Sequence, residues 1–461
     1  MNAVLCLIAL YAPNVRPVHV FFDHHEIESM RACSLVMHRP ERKEIVYRFD
    51  APWEGKESAY VTVLACESGF RMYYRGASPG GREYTCMAES VDGINWIRPQ
   101  LSLYSYESAK TTNIVHTAKE KYGRESHNFA PFLDTNPSCR PEEKWKAVGM
   151  ARWPEDGEQR RAQIALASPD GIHWRRVSDV PIITEGSFDS QNTAFWDGNL
   201  GQYVSYIRHG WNGLRAIRRS VSPDFRTWSK PQWLVYKQPQ TEQFYTNAIV
   251  PYSRTPGLYI GLPMRFVPER KSVGFPPKTT DGLSDCVFMT SRDGLHWDRT
   301  FKEAFIRPGL DPANWGSAHG NNTPAWGILQ TSPTELSLYV CEQYEKGVPV
   351  LRRHTLRLDG FASVHAGATV GTITTKPILV EGARLVLNMS TSAAGLILVE
   401  VLDEKGKPFD GLTKTDCLPI YGDDISRAVQ WKTSPKLPEG QKVRLKFTLI
   451  DADLYSYAFS K

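Results

Sequence analysis

The chain has no paired-cysteine signature. Its eight cysteines (Cys6, Cys33, Cys66, Cys86, Cys139, Cys286, Cys341 and Cys417) are scattered, with no C-x-x-C pair. That scatter argues against a structural zinc site and implies no dense disulfide framework. Cys66 and Cys86, in neighbouring strand-like runs, form the one pair whose meeting the sequence leaves open. No run after Ala12 is long and apolar enough to span a bilayer, so no membrane span is expected and the body should be soluble. Ala3–Ala12 (AVLCLIALYA) has the apolar character of a signal peptide. No Lys or Arg precedes it, however, and Pro13 would obstruct cleavage after Ala12. A secreted or periplasmic address is favoured over a cytoplasmic one. Residues 1–16 read as a signal remnant or an N-terminal extension.

A basic tract is also missing. The 55 Lys and Arg residues against 50 Asp and Glu give a net charge of +5, spread along the chain. This balance points away from nucleic acid and from a membrane surface as partners. Convincing amphipathic helices are absent. No spacing of Asp, Glu or His commits to a metal, and no cofactor is expected.

What is present is a recurring phrase. Ser168-Pro169-Asp170-Gly171-Ile172-His173-Trp174 is preceded by Ser90-Val91-Asp92-Gly93-Ile94-Asn95-Trp96 and followed by Ser291-Arg292-Asp293-Gly294-Leu295-His296-Trp297. Ser222-Pro223-Asp224-Phe225-Arg226-Thr227-Trp228 repeats it without the glycine, and Arg357-Leu358-Asp359-Gly360-Phe361 reads as a worn fifth copy. Each follows a β-rich run. The phrase is a turn between strands: Asp accepts backbone N–H bonds, Gly takes the φ > 0 position and Trp packs back over the neighbouring strands. Asp170 and Asp293 therefore serve turns, not catalysis. Five such turns mark repeated blades.

The expected fold class is all-β: a five-bladed β-propeller over residues 17–367, then a β-sandwich over 368–461. The 41% hydrophobic content supplies the large core this requires. Val18–Asp23 and Glu44–Phe49 are candidates for an N-terminal strand that completes the last blade. The segment Val267–Ser284, rich in Pro, Lys and Gly, reads as a long loop. After His365, Thr372–Pro377, Arg384–Met389, Leu396–Leu402 and Lys442–Ile450 read as sandwich strands.

Propellers bring the starts of their innermost strands together at a central channel. Here those starts carry Glu54 and Glu57, then His127 and Asn128, then Asp189, Gln191 and Asn192, then Glu242, Tyr245 and Asn247, then Asn321 and Asn322. Asn, Gln and Asp are depleted in strands, so their recurrence calls for a reason, and lining a wet cavity supplies one. Each singly is equally well read as a capped strand end. Arg208, Arg265 and Arg307 sit in contexts where solubilising charge is not the obvious use. As a set they suit an anionic or hydroxyl-rich sugar, with inter-blade salt bridging the competing reading. Asp285 is a further carboxylate facing the channel. His209 and His319 fall in loop-like segments.

The four Ser-x-Asp-Gly-x-x-Trp-like hairpins, the carboxylates at blade starts and the β-rich C-terminal stretch together resemble the five-bladed propeller glycoside hydrolases. Families 32 and 43 are the best known of these, with bacterial family-32-like proteins nearer still. The resemblance covers nearly the whole chain. It departs from family 32 in lacking the Trp-x-Asn-Asp-Pro, Arg-Asp-Pro and Glu-Cys motifs, so fructan or sucrose as substrate is not implied. The turns also differ from sialidase Asp boxes, which carry one more residue between Asp and Gly. In such enzymes three carboxylates meet at the channel as nucleophile or base, pKa modulator and general acid. Carried over by blade position, these are Glu54 or Glu57, Asp189 and Glu242, an order that differs from family 43, in which blades one, two and three contribute. Blade two here offers only His127, Asn128 and Asp134. His127, Asn128, Gln191, Asn192, Tyr245, Asn247, Arg208, Arg265, Asp285 and Asn322 would hold the sugar. The implied activity is hydrolysis of an oligo- or polysaccharide. A non-catalytic carbohydrate-binding propeller and a polysaccharide lyase, with Tyr245 or His127 as base beside Arg265, are the alternatives.

Overall fold

A computed structural model describes residues 17–118, 124–155, 158–273, 282–316 and 321–460. Ala3–Ala12 and His319 lie outside them, as do residues 274–281 of the loop expected over Val267–Ser284. The described residues are all-β: apart from three 3-10 turns, Glu125–His127, Pro141–Glu143 and Pro312–Trp315, every regular element is a strand.

Five sheets follow one another along the chain, antiparallel except that Val235–Tyr236 runs parallel to His296–Asp298 in sheet 4, and Leu329–Ser332 adds to sheet 5. Sheet 1 orders Ala59–Cys66, Gly69–Ala77, Glu83–Ser90 and Ile114–His116; sheet 2 orders Ala130–Leu133, Trp145–Glu155, Glu158–Ser168 and Arg175–Arg176. Sheet 3 runs through Thr193–Asp197, Gln202–Trp211, Leu214–Ser222 and Gln232–Trp233. Sheet 4 is built on Ile249–Pro251, Tyr259–Gly261, Met289–Ser291 and His296–Asp298, with Gln243–Phe244, Met264–Val267 and Leu283–Cys286 pairing separately beside it. Sheet 5 orders Thr323–Pro324, Glu335–Glu342, Val350–Arg357 and, outermost, the N-terminal strand Glu41–Arg48. The inner strands are buried on both faces, which explains runs such as Tyr-Val-Thr-Val-Leu-Ala where simple alternation would mark a half-exposed sheet.

The recurring turns behave as their chemistry dictates. Asp170 Oδ1 accepts the N–H groups of Ile172 and His173, Ser168 Oγ accepts that of Gly171, and Trp174 Nε1 donates to the Gly171 carbonyl. Asp92, Asp293 and Asp224 repeat the arrangement. The structural reading of Asp170 and Asp293 holds.

Each turn also docks on a neighbouring sheet. Tyr73 of sheet 1 donates its hydroxyl to Gly171, Tyr206 of sheet 3 to Gly294, and Tyr339 of sheet 5 to Gly93. Between sheets 2 and 3 the glycine is replaced by Phe225 at φ 63°, and its ring packs on Phe132 with centroids 5.6 Å apart. Between sheets 4 and 5, Tyr252 and Arg254 bind the carboxylate of Asp359. The contacts thus run from each sheet to the next and from the fifth back to the first. The fifth copy differs from expectation: Asp359 is buried and points to its neighbours, so it is an inter-sheet anchor, unlike the Asp that organises its own turn.

The remaining strands form one further assembly around a separate apolar core that includes Leu385, Leu387, Val399, Leu445, Phe447 and Leu454. Its frame is Arg384–Leu402 against Lys442–Ser460, two strands of 19 residues each with a register break between Thr391 and Leu396. The sequence split these into shorter strands because a bulge and a turn share the same polar residues. Of the two N-terminal candidates, Glu41–Arg48 completes sheet 5, whereas Val18–Val20 pairs with Lys442–Ser460. Ile27–Arg31, Ser34–Met37 and Ala362–Ala366 join this assembly as well. Asn388 donates to the Leu358 carbonyl and Arg357 to Asn388, which ties the assembly to sheet 5.

Seven cysteines, Cys66 and Cys86 among them, are free thiols.

Candidate functional site

The polar residues at the sheet starts divide into three groups. The first is a set of splices. Asn128 donates to the carbonyls of Phe188 and Ser190 and accepts from the Met150 N–H, joining sheet 2 to the start of sheet 3. Asn192 accepts from the Arg208 N–H, and Asn247 donates to the carbonyls of Gln191 and Tyr206. Asn322 donates to the carbonyls of Ser284 and Asn314. Gln191 reaches across from sheet 3 to the Val61 carbonyl and Thr62 Oγ1 of sheet 1, both at 3.1 Å. All five are at most 3% exposed. The expectation that they line a wet cavity and bind sugar is corrected: their amide groups satisfy buried backbone groups, Asn192 within the start of sheet 3 and the others at joints between sheets. Of their buried amide atoms, only Asn322 Oδ1 is left without a partner among the described residues.

The second group is structural charge. The Glu54 side chain is fully enclosed, accepting from Arg98 Nη2 at 2.8 Å, from the Tyr74 hydroxyl and from the Ala51 N–H. It cannot meet a substrate, and Glu54 is removed from the catalytic candidates. Asp134 likewise accepts from Lys146 and Tyr203 inside sheet 2 and the contact with sheet 3. Arg307 is exposed, with no ion pair among the described residues. His209 belongs to the strand Gln202–Trp211, not to a loop, and stacks on Trp233 at 5.6 Å, where burial lowers its pKa.

The third group is accessible. Asp189, at the start of sheet 3, keeps 30% of its side chain exposed and is held by Arg208 and Arg161. Burial works against its charge, but these two guanidinium groups outweigh it and hold the carboxyl below its ordinary range. Beside it, the Tyr60 hydroxyl donates to the Asp189 carbonyl, and the Tyr60 ring lies under Arg75 at 4.7 Å. Tyr60 itself takes φ 55°, which turns the chain so that its ring faces the rim. Arg75 is buried and donates to the Glu57 carbonyl, to Tyr344 and to His127. His127 Nδ1 sits 2.6 Å from Glu83. Burial would raise Glu83, but the bond and charge of His127, with Arg75 and Arg124, bring it down to about 2. Glu57 and Glu83 line one pocket of about 350 Å³ with Lys56, Ser78 and Pro79. The Glu57 carboxylate has no cationic partner among the described residues.

On the far side of Tyr245, Glu242 is shared by Arg265 and Arg299, and Arg265 also grips Asp285 at 2.8 and 2.6 Å. Burial opposes the Glu242 charge and the two arginines overcome it. Arg208 lies over the Tyr245 ring at 4.7 Å and Arg215 at 5.5 Å, while Arg215 bonds Gln243. Tyr245 therefore stands between the Asp189 and Glu242 clusters.

The structure thus brings together Tyr60, Arg75, His127, Asp189, Arg208 and Tyr245, with Glu242, Arg265 and Asp285 adjoining and Glu57 in the neighbouring pocket beside Glu83. Sequence reading missed Tyr60, Arg75, Glu83, Arg161, Arg215, Arg299 and Tyr344. The available signal was charge inside apolar strands: Arg75 follows Met72-Tyr73-Tyr74, and Arg215 stands second in a strand whose middle is buried. At the opposite end of the inner strands, Val63, Phe132, Phe195, Val250, Trp326 and Leu329 enclose an apolar cavity of about 340 Å³ that residues beside all five sheets reach. The polar rim and this apolar end are separated by the Gln191 splice.

No protein-family model matches the chain, and no curated protein sequence matches it. Solved structures resemble it at low identity. A glycosyl hydrolase from Bacteroides ovatus is 14% identical with a TM-score of 0.42, covering 72% of this chain and 96% of its own. A glycoside hydrolase family 43 arabinoxylan arabinofuranohydrolase from Bacillus subtilis is 12% identical with a TM-score of 0.39, covering 89% and 96%. A fructofuranosidase from Schwanniomyces occidentalis is 10% identical with a TM-score of 0.42, covering 92% and 98%. All three scores lie below 0.5.

Proposed function

We propose that sheets 1 to 5 are the blades of a five-bladed propeller, that the remaining strands form a sandwich packed against the fifth, and that the polar rim hydrolyses a glycosidic bond. The observation that carries the chemistry is Asp189: a carboxylate partly open to solvent, kept ionised by Arg208 and Arg161, at the rim where sheets 1, 2 and 3 converge. Glycoside hydrolysis needs one ionised carboxylate, to attack the anomeric carbon or activate water, and one protonated carboxyl for the leaving oxygen. Asp189 suits the first role. Glu57, half-buried at the neighbouring pocket and without an ion pair among the described residues, is assigned the second. Arg75, Tyr60 and the Glu83–His127 pair position the two. Glu242, bound by two arginines, suits charge balance across the rim better than proton transfer.

A second reading, sugar binding without cleavage, is favoured by one observation: Asp189 and Glu242 are each shared between two guanidinium groups. Lyase chemistry with Tyr245 or His127 as base beside Arg265 is less well supported, because Arg265 is taken up by Glu242 and Asp285 and His127 Nδ1 is bonded to Glu83.

The test of the roles uses aryl glycosides of the sugar that the wild type releases. Glu57→Gln should lose activity on poor leaving groups and keep it on activated ones, because a good leaving group needs no acid. Asp189→Asn should lose both. Equal losses for both substrates in Glu57→Gln would remove Glu57 from the acid role.

A further inference from the structure

We propose that the rim takes an anionic sugar, with a carboxylate or sulfate of the ligand seated against Arg208 and Arg215. This inference rests on the reading of the rim as a sugar site. In sheet 3, Arg208 pairs with Ile217 and Gly210 with Arg215, so the two arginines are diagonal neighbours on one face of adjacent strands. Like charges so placed repel each other. Both lean on the Tyr245 ring, which offers its π face but no net charge. Arg161 adds a third guanidinium from sheet 2. Against these three stands one carboxylate, Asp189, which Arg208 and Arg161 already share.

Arg215 has no ion pair among the described residues; its side chain donates to the neutral amide oxygen of Gln243. Burial and the nearby Arg208 lower its pKa, and the opposing pull of Tyr245 and the shared Asp189 does not make up for them. Glu242, next to Gln243, does not relieve it, because Arg265 and Arg299 hold both of its oxygens. The rim beside Asp189 therefore carries an excess of two positive charges, three guanidinium groups less one carboxylate. Guanidinium forks match the paired oxygens of a carboxylate or sulfate. His127 also acts on Asp189, but any charge it carries is answered by Glu83, 2.6 Å from its Nδ1.

The experiment is titration calorimetry of the full chain with three probes: a galacturonic acid tetramer, a sulfated galactose tetramer and the neutral galactose tetramer. The expected result is binding of an anionic probe at least about tenfold tighter than the neutral one, weakening steeply with salt. Arg215→Gln should abolish that preference. A preference for the uronate identifies a carboxylate as the recognised group, and a preference for the sulfated probe identifies sulfate. Because Arg215 is half-buried, the more exposed Arg161→Gln is measured in parallel, with thermal unfolding confirming that each variant is folded. Equal binding of all three probes, binding of none, or an anion preference unchanged in both folded variants would overturn the proposal. Release of reducing ends is followed separately. Anion-selective binding without release would uphold this inference and contradict hydrolysis, and release from neutral glycans alone would do the reverse.

Discussion

The hydroxyl of Tyr73 in sheet 1 donates a 2.9 Å hydrogen bond to the carbonyl of Gly171, 98 residues later, at the turn of sheet 2. Gly171 meets two demands at once. Its φ is 77°, and a Cβ there would lie 2.5 Å from the Tyr73 oxygen. Gly93 and Gly294 repeat both conditions, with the Tyr339 and Tyr206 hydroxyls at 2.7 and 2.6 Å from the same hypothetical atom. Gly171→Ala should therefore destabilise the protein by about 2–4 kcal/mol, combining backbone strain with steric conflict. Tyr73→Phe alone should cost about 1 kcal/mol. In the double variant the closest clash is gone, although Arg71 Nη1 and Trp145 Cδ2 still lie 2.9 and 3.0 Å from that atom, and the combined loss should fall short of the sum of the two. Urea unfolding of the four proteins measures this coupling.

Phe225 sits where the other turns have glycine, at φ 63°. Restoring glycine would relieve the backbone but remove a fully buried ring that touches Phe132, Tyr203 and Trp228. Losing a large core side chain costs about 3–5 kcal/mol, against about 1 kcal/mol regained from the backbone. Phe225→Gly should thus lower the unfolding midpoint, although it restores the consensus of the repeat.

Glu54 and Arg98 form an ion pair whose acidic partner is fully enclosed. Glu54→Gln leaves Arg98 without its strongest partner, and breaking such a pair costs on the order of 3 kcal/mol. The variant should melt markedly earlier than the wild type. Where it remains folded, its rate should be close to the wild type's, in contrast to variants at Asp189.

The turn carboxylates make a pH signature. Asp92 and Asp293 are partly buried, which would raise them, but the backbone N–H groups they accept bring both down to about 2. Unfolded, an Asp titrates near 4. Because the folded value is the lower one, their stabilisation is complete above about pH 4 and is lost as pH falls toward about 2. Asp92→Asn keeps an acceptor oxygen but has no proton to take up. Its melting temperature should start below the wild type's at pH 5 and fall less between about pH 4 and about pH 2.

The parts of this structure that were legible in the sequence are those governed by local chemistry. A Ser, Asp and Gly within four residues determine a turn without reference to the rest of the chain, and the strand runs between turns follow. The completing strand was also visible, although Glu41–Arg48 and Val18–Val20 looked alike and only their partners separate them. Site assignment failed where identity depends on a distant residue. Glu54 and Glu57 stand three apart with similar surroundings, and Arg98, 44 residues beyond Glu54, takes one out of play. Asn128, Gln191, Asn247 and Asn322 show that an amide at a strand start suits a dry joint between sheets as well as a wet cavity. The rim arginines Arg75, Arg161 and Arg215 converge from three different sheets, which no single window of sequence displays.

The measurement closest to the central claim is reducing-end release from a panel of plant, algal and host glycans by wild type and Asp189→Asn, each confirmed folded. Hydrolysis at this rim predicts release from at least one glycan by the wild type, reduced by about a thousandfold or more when the carboxylate becomes an amide. Release that survives Asp189→Asn undiminished would contradict the assignment of the rim as the catalytic centre.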